Sequence, residues 1–361
     1  MSGKDHATIF DVARLAGVAR GTVDRVVYHR GGVSEKTAAK VKAAIRELGY
    51  KANPVAAQLA SKRKFTIACL TPSYEKGDYW DTMQKGFNEG AAAVKSHSIS
   101  IRMYHFDSDI PESYLEACQQ VLKDKPSGVL MNVVFEEALR SFVHSLEEAR
   151  IPYAFVDRKL DDLDYTVYCG VDPWEAGYLG AYLLTHRMQV KEIGIIRLQR
   201  DPRGQSDPNK LRREGFMRYL RDYCPDCRVT ATFIPPHDPE QILKNLEQFT
   251  KDHPDIKHFV MANSRVHLMR DFLLLHPDPQ RSVVGYDDIE RNLAVVKDSL
   301  VEYLVTRRTP LQAYYAVVNF ASCLISGQPP KKRNYYMHVD ILSRFNLKDY
   351  DTQSPETVNL L

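Results

Sequence analysis

No apolar run in this 361-residue chain approaches the roughly 20 residues that a membrane-spanning helix needs, and the N-terminus carries no apolar signal region. The expected setting is the cytoplasm, with no membrane partner. Of six cysteines, only Cys224 and Cys227, in CPDC, stand at a metal-like or redox-like spacing, and no second ligand pair accompanies them. Such a lone pair reads as a loop with two reduced thiols, and no metal is expected. The motifs G-x-S-x-G, G-x-x-x-x-G-K-[ST], H-E-x-x-H and strand-linked G-x-G-x-x-G are missing. The 12 histidines are scattered, and a proline between His253 and His258 breaks any shared helical face. A hydrolase or oxidoreductase is therefore not expected, nor a cofactor. The last eleven residues, DTQSPETVNLL, hold no leucine heptads, which argues against a tetramer built on a C-terminal coiled coil.

What is present is most informative between Ala7 and Val27, ATIFDVARLAGVARGTVDRVV. Ile9, Val12, Ala13 and Ala16 form an i, i+3, i+4, i+7 stripe, with Thr8 as N-cap and Asp11 as its capping-box partner. Gly17 supplies a turn. A second helix buries Val23, Val26 and Val27, which turns Arg20, Gly21, Thr22, Asp24, Arg25 and Tyr28 outward. A third follows, with Ser34 as N-cap, Val41, Ala44, Ile45 and Leu48 inside, and Gly49 at its end. Two short helices around a glycine have the spacing of a helix-turn-helix, which lays a helix in the DNA major groove. The bland alternative, ordinary amphipathic helices of a larger core, has the same periodicity.

Charge separates the two. Through Lys64 the chain carries 13 Lys and Arg against 5 Asp and Glu, a net of +8; the remaining 297 residues hold 36 against 41, a net of −5. A basic head on an acidic body supplies the sequence-independent attraction to phosphates that DNA binding requires.

On these motifs, DVARLAGVARGTVDRVV and VSEKTAAKVKAAIRELGYKANPVAAQLASKRK, residues 6 to 64 resemble the DNA-binding head of the lactose-repressor (LacI/GalR) family of bacterial transcription regulators. The resemblance implies base-edge contacts from Arg20, Gly21 and, through its backbone, Thr22, with Arg25 also reaching into the groove. Two positions depart from the family: Ala19 replaces a capping serine, at a cost of roughly 1 kcal/mol that packing must offset, and Asp24 replaces a serine. Asp24 must pair with Arg20 or Arg25 or accept from a cytosine amino group, so the operator is expected to differ from the family's commonest one. The resemblance makes residues 53–64, from Asn53, a hinge helix ordered when two copies meet on DNA, with Leu59 as a wedge in a minor-groove step. A linker whose leucine packs on the neighbouring domain is the alternative.

From Phe65 onward ten short apolar runs, from FTIACLTP to LVEYLVTR, alternate with amphipathic stretches. That pattern predicts strand-helix units, and their number predicts two doubly wound parallel-sheet lobes with a ligand at the carboxyl ends of the strands. The whole chain is thus expected to be an all-α helix-turn-helix head (1–52), a hinge (53–64) and a two-lobed α/β domain (65–361). The resemblance extends there, to the periplasmic sugar-binding-protein fold. It implies a lobe near the DNA from about 65–171 and 305–327, and a far lobe from about 172–304 and 334–361.

A sugar site needs planar donors, carboxylates and aromatic faces. Strand ends offer Asp157 and Arg158, Asn263 and Asp287. By resemblance, Arg212 holds ligand hydroxyls, and Tyr79 and Trp80 stack on the ring. Ser264, Thr306, Arg307 and Arg308 depart from the family pattern; the added arginines either fit an acidic or phosphorylated sugar or sit outside the cleft. The expected function is a dimeric, DNA-binding transcription regulator, a repressor released by a sugar or sugar derivative. The alternatives are a cytoplasmic solute sensor without DNA regulation and a regulator answering a protein co-regulator.

Overall fold

The computed structural model describes residues 7–27, 31–50, 64–198, 209–235, 238–348 and 350; Tyr28, Asn53, Leu59 and nearly all of the expected hinge lie outside these. The chain divides into two compact units, one within residues 1–62 and one within 63–360.

Among the described residues the first unit has three helices: α1 (Ile9–Ala16), α2 (Arg20–Val27) and α3 (Glu35–Leu48). The expected capping box forms, with the Asp11 amide donating to the Thr8 hydroxyl and the Thr8 amide donating to the Asp11 carboxylate at 2.9 Å. Gly17 ends α1 at φ 64°, a left-handed conformation that costs a glycine nothing and a side-chain-bearing residue about 1–2 kcal/mol. Val12, Val23 and Val41, one from each helix, are fully buried against one another's neighbours Ala13, Val26 and Ala44. Ala19 offers no side-chain cap to α2, but its carbonyl accepts from the Thr22 amide at 2.9 Å and the Val23 amide at 3.3 Å.

The second unit holds two six-stranded sheets. The first comprises β1 (Phe65–Pro72), β2 (Ile99–Phe106), β3 (Gly128–Met131), β4 (Tyr153–Asp157), β5 (Tyr168–Gly170) and β11 (Asn334–Tyr336), in the order β11-β5-β4-β3-β1-β2 and parallel throughout. The second comprises β6 (Glu192–Leu198), β7 (Arg228–Ile234), β8 (His258–Met261), β9 (Ser282–Tyr286), β10 (Tyr303–Thr306) and β12 (Asp340–Leu342), in the order β12-β10-β9-β8-β6-β7. Only β12 runs antiparallel to its neighbour there. Helices cover both faces of each sheet, which is why Ile67, Ala68, Cys69 and Leu70 are all buried with no alternation.

Each of the ten apolar runs contains a strand; β11 and β12 lie outside them. The two added strands correct the expected lobe boundaries. Val305 and Thr306 pair with Ile341 and Asp340 in the second sheet, so the crossing back to the first lobe comes after β10 rather than before it. Asn334 pairs with Tyr168, which places 334–336 in the first lobe, not the second. Three-residue strands carry too little periodicity to be read from sequence. The chain crosses between the lobes after β5, after β10 and between β11 and β12.

Each lobe packs one pair of helices tightly together. In the first lobe α4 (Tyr79–Val94) packs on α12 (Thr309–Ser326); in the second, α7 (Pro173–Thr185) packs on α8 (Lys210–Tyr223). A Cβ at Gly177 would lie 1.8 Å from the Arg212 carbonyl oxygen, and one at Gly215 would lie 2.0 Å from that of Trp174. Backbone therefore touches backbone, and the helix bearing Arg212 is set by what its neighbour lacks. Gly177→Ala is expected to destabilise the second unit by about 1–3 kcal/mol or more, since a rigid carbonyl cannot yield. An unchanged urea midpoint would show that α7 and α8 do not need this approach.

Candidate ligand cleft and DNA-binding face

On the first unit, Arg20, Gly21 and Arg25 are exposed on α2, while Thr22 and Asp24 are half-buried. Arg20 holds its guanidinium 5.1 Å from the centroid of the Phe10 ring, itself 61% exposed. Burial pushes the Tyr50 phenol up, and the Asp24 charge adds to that while Arg20 opposes it. Asp24 and Arg20 thus act with opposite sign on the same phenol.

On the second unit, strand ends of both lobes meet at one guanidinium. Arg307, just past β10, donates from Nε and Nη2 to the two oxygens of Asp287 at 2.7 and 3.1 Å. Its Nη1 donates to Asp157 Oδ1, in the other lobe, at 2.6 Å. Tyr79, on the first turn of α4, donates its hydroxyl to that same oxygen at 2.8 Å and presents its ring 4.8 Å from the Arg307 guanidinium. Burial alone would lower the Arg307 pKa, but Asp287, Tyr79 and Asp157 outweigh it and hold the side chain charged. The same burial, with the two carboxylates, raises the Tyr79 phenol well above its ordinary value.

Asp157 and Asp287 follow the same local plan. Asp157 is the last residue of the parallel strand β4 and Asp287 the first after the parallel strand β9, and each has positive φ, 69° and 68°. Aspartate tolerates this region better than most residues. The turn after β9 is held by Asn292 of α11 (Glu290–Lys297), fully buried, whose amide donates to the Tyr286 and Asp287 carbonyls, each at 3.0 Å, and to the Ser264 carbonyl at 3.1 Å. Its Oδ1 accepts from the His267 amide at 3.1 Å. Polar staples of this kind have no sequence periodicity, and Asn292 had no signal in the sequence.

Arg212, 3% exposed, stacks its guanidinium 4.3 Å from the Tyr286 ring centroid. Its Nη1 donates to the Ala262 carbonyl and to Asn209 Oδ1, and its Nε has no hydrogen-bond partner among the described residues. Burial, and then the Arg307 charge, lower its pKa. Asn263 donates to the Leu198 carbonyl at 3.2 Å and accepts from the Arg265 amide at 3.2 Å, which fixes the loop after β8. Trp80 packs edge-on against Tyr79 with centroids 5.0 Å apart.

Among the residues expected in the cleft, then, Asp157, Asp287 and Tyr79 share one hydrogen-bonded cluster, and Arg212 acts on it through its charge. Arg158 does not join: its guanidinium pairs with Glu136. The two added arginines part company. Arg307 is at the centre, whereas Arg308 is exposed and pairs with Asp340 at 3.2 Å. Elsewhere, an open surface groove on α7 and α8, lined by Trp174, Tyr178, Glu214, Arg218, Arg221 and Asp222, has no buried polar group. Cys224 and Cys227 close a turn, the Cys227 amide donating to the Cys224 carbonyl at 3.0 Å; burial pushes the Cys227 thiol up to about 11, away from reactivity.

A model of bacterial regulatory proteins of the lacI family matches residues 8–53, and one of the periplasmic binding protein domain matches 67–328. The chain carries a lacI-family DNA-binding domain and, over most of its length, belongs to the periplasmic binding protein domain family. It is a DNA-binding transcription regulator with a ligand-binding sensor domain, in a family of regulators rather than enzymes. It is 29% identical over 291 residues to the HTH-type transcriptional repressor PurR of Yersinia enterocolitica, covering 78% of this chain and 81% of that protein. Over 297 residues it is 24% identical to the HTH-type transcriptional regulator KdgR of Bacillus subtilis, covering 79% and 82%. Catabolite control protein A of Staphylococcus epidermidis is 33% identical over 138 residues, 38% of this chain and 40% of that one. A solved chain from Bacteroides fragilis, assigned as a LacI transcriptional regulator, superposes with a TM-score of 0.74 at 27% identity, covering 80% of this chain and all of that one.

His267 and His258 carry a pH dependence. Burial lowers both, Arg291 and Arg265 adding to this at His267 while Asn292 opposes it. Below the ordinary value of about 6.5 the unfolded chain therefore binds protons that the folded one resists, so stability falls as pH drops through that value. Burial raises the buried Asp288, whose contribution has the opposite sign at lower pH. The urea midpoint of the second unit is expected to fall between pH 7.5 and 5.5, with a shallower fall in His267→Gln; equal slopes would show that His267 is not buried neutral.

Proposed function

We propose that this protein is a cytoplasmic, homodimeric repressor that binds a pseudo-palindromic operator through α2 of each copy and is controlled by a sugar or sugar derivative in the cleft of the second unit. The observation that carries the ligand reading is the meeting of Asp157 and Tyr79 from one lobe with Asp287 and Arg307 from the other. A site shared between lobes converts binding into lobe movement, since whatever engages both strand ends changes their separation. Repression draws support from PurR, a named repressor. The ligand class draws support from a solute-binding protein of Actinobacillus succinogenes with bound D-allose, of like fold at a TM-score of 0.67 and 20% identity, covering 80% of this chain and all of that one.

In the operator complex Arg20 and Arg25 are the base-reading side chains, with Gly21 allowing close approach and Thr22 contributing its backbone. Asn53 and Leu59 belong to the proposed hinge, Leu59 as the minor-groove wedge and Asn53 at its start, and Tyr28 and Asp24 flank the reading face. Two copies are needed because one recognition helix reads one half-site. In the cleft, Asp157 and Asp287 would accept from ligand hydroxyls, Arg212 and Asn263 would donate, and Tyr79 and Trp80 would cover the apolar face of the ring.

The test is a separation of functions, with operator DNA enriched from a random-sequence pool. Arg20→Ala is expected to cost about 1–3 kcal/mol of operator affinity and to relax base preference at one position of each half-site. Arg25→Ala should likewise weaken operator binding, measured by fluorescence anisotropy, while leaving the thermal shift from an identified ligand intact. Asp287→Asn, which keeps the left-handed turn but removes one charge, should do the reverse. If both variants impaired both activities equally, the two-module reading would be wrong.

A further inference from the structure

The hydrogen-bond inventory of the cleft is unbalanced toward donors. Asp287 spends both oxygens on Arg307, and Asp157 spends Oδ1 on Arg307 and Tyr79. Three of the four oxygens of the two carboxylates that would accept from a ligand's hydroxyls are thus engaged by the chain itself, and Asp157 Oδ2 is left for one. Arg212 remains. It is buried, its direct contacts are the Tyr286 ring and the neutral oxygens of Ala262 and Asn209, its Nε–H is unspent, and among the described residues Asp287 and Asp157 act on it only through their charge, without a hydrogen bond. A buried cation without a hydrogen-bonded counter-ion is costly, because the water it gave up is not replaced.

We infer that the effector is a polyhydroxylated anion, with its carboxylate or phosphate oxygens on Arg212 and Arg307 and its hydroxyls on the polar groups around them. This rests on the reading of the cleft as the effector site. The guanidinium edge of Arg212 bearing the free Nε–H matches two oxygens of a carboxylate or phosphate. An anion also draws Arg307 Nη1 away from Asp157, which frees that carboxylate for a ligand hydroxyl. Arg307 is the specificity element, since it is what occupies the two carboxylates.

The experiment is a calorimetric titration of the full-length protein with matched ligands of one carbon skeleton: neutral hexoses, the corresponding uronic and aldonic acids, and hexose phosphates, with acetate and inorganic phosphate as ion-only controls. The expected result is that at least one acid or phosphate binds ten-fold or more tightly than its neutral counterpart and than the bare ion. The acid and phosphate arms then tell the two anion sources apart. Arg307→Gln is expected to shrink that preference and Arg212→Gln to abolish it; should Arg212→Gln not fold, Arg307→Gln and the wild-type series still decide. A neutral hexose binding as tightly as its acid would overturn the anion inference while sustaining the cleft as effector site. Silence across the panel would overturn both.

Discussion

One guanidinium holds the sensor's two halves in register. Arg307 is fixed to its own lobe by two bonds to Asp287 and reaches the other through one bond to Asp157. Burying such a charge is tolerated because it meets two carboxylates and the face of Tyr79, while Gln312, fully buried, fixes the backbone below it by donating to the Arg307 carbonyl at 2.6 Å. Removing one partner of a buried pair typically costs about 3–5 kcal/mol, because the other is left charged and dry. The cluster thus couples what the lobes do to what sits between them.

The rest of the second unit serves that arrangement. Parallel sheets put all their strand ends on one side, and two such sheets joined by three crossings turn those sides toward each other. The left-handed turns at Asp157 and Asp287 then aim two carboxylates at one point, and Asn292 spends its amide on the second turn. Close helix approach at Gly177 and Gly215 places Arg212 beneath Tyr286. None of these positions is mainly about core packing; each spends backbone freedom or a buried amide to place a charge.

Legibility from sequence followed the physics of each feature. The three head helices were readable because caps and stripes are local: Thr8 and Asp11, Ser34 and Gly49 carry their own instructions. Ten strands were readable because doubly covered parallel strands are unbroken apolar runs. Strands β11 and β12, three residues each, draw their structure from distant partners, Tyr168 and Leu304 among them, and so left no mark. In the cleft, residue types at strand ends pointed to Asp157 and Asp287, and the family resemblance to Tyr79, but whether a side chain turns inward is a tertiary matter. Arg158 goes to Glu136 while Arg307, two residues after Val305 and equally unremarkable in composition, goes to the centre.

The difference between Arg307 and Arg308 shows how such a choice is made. Both lie between the end of β10 and α12, and both have a carboxylate to pair with. Arg308 takes Asp340 on the edge strand β12, where solvent screens the pair and each end keeps its hydration. Arg307 takes two carboxylates at left-handed turns, both largely buried, where the same charge interaction is less screened. A pair in water is dispensable; a pair between two lobes is not, because its loss leaves a buried charge unpaired and uncouples the two halves.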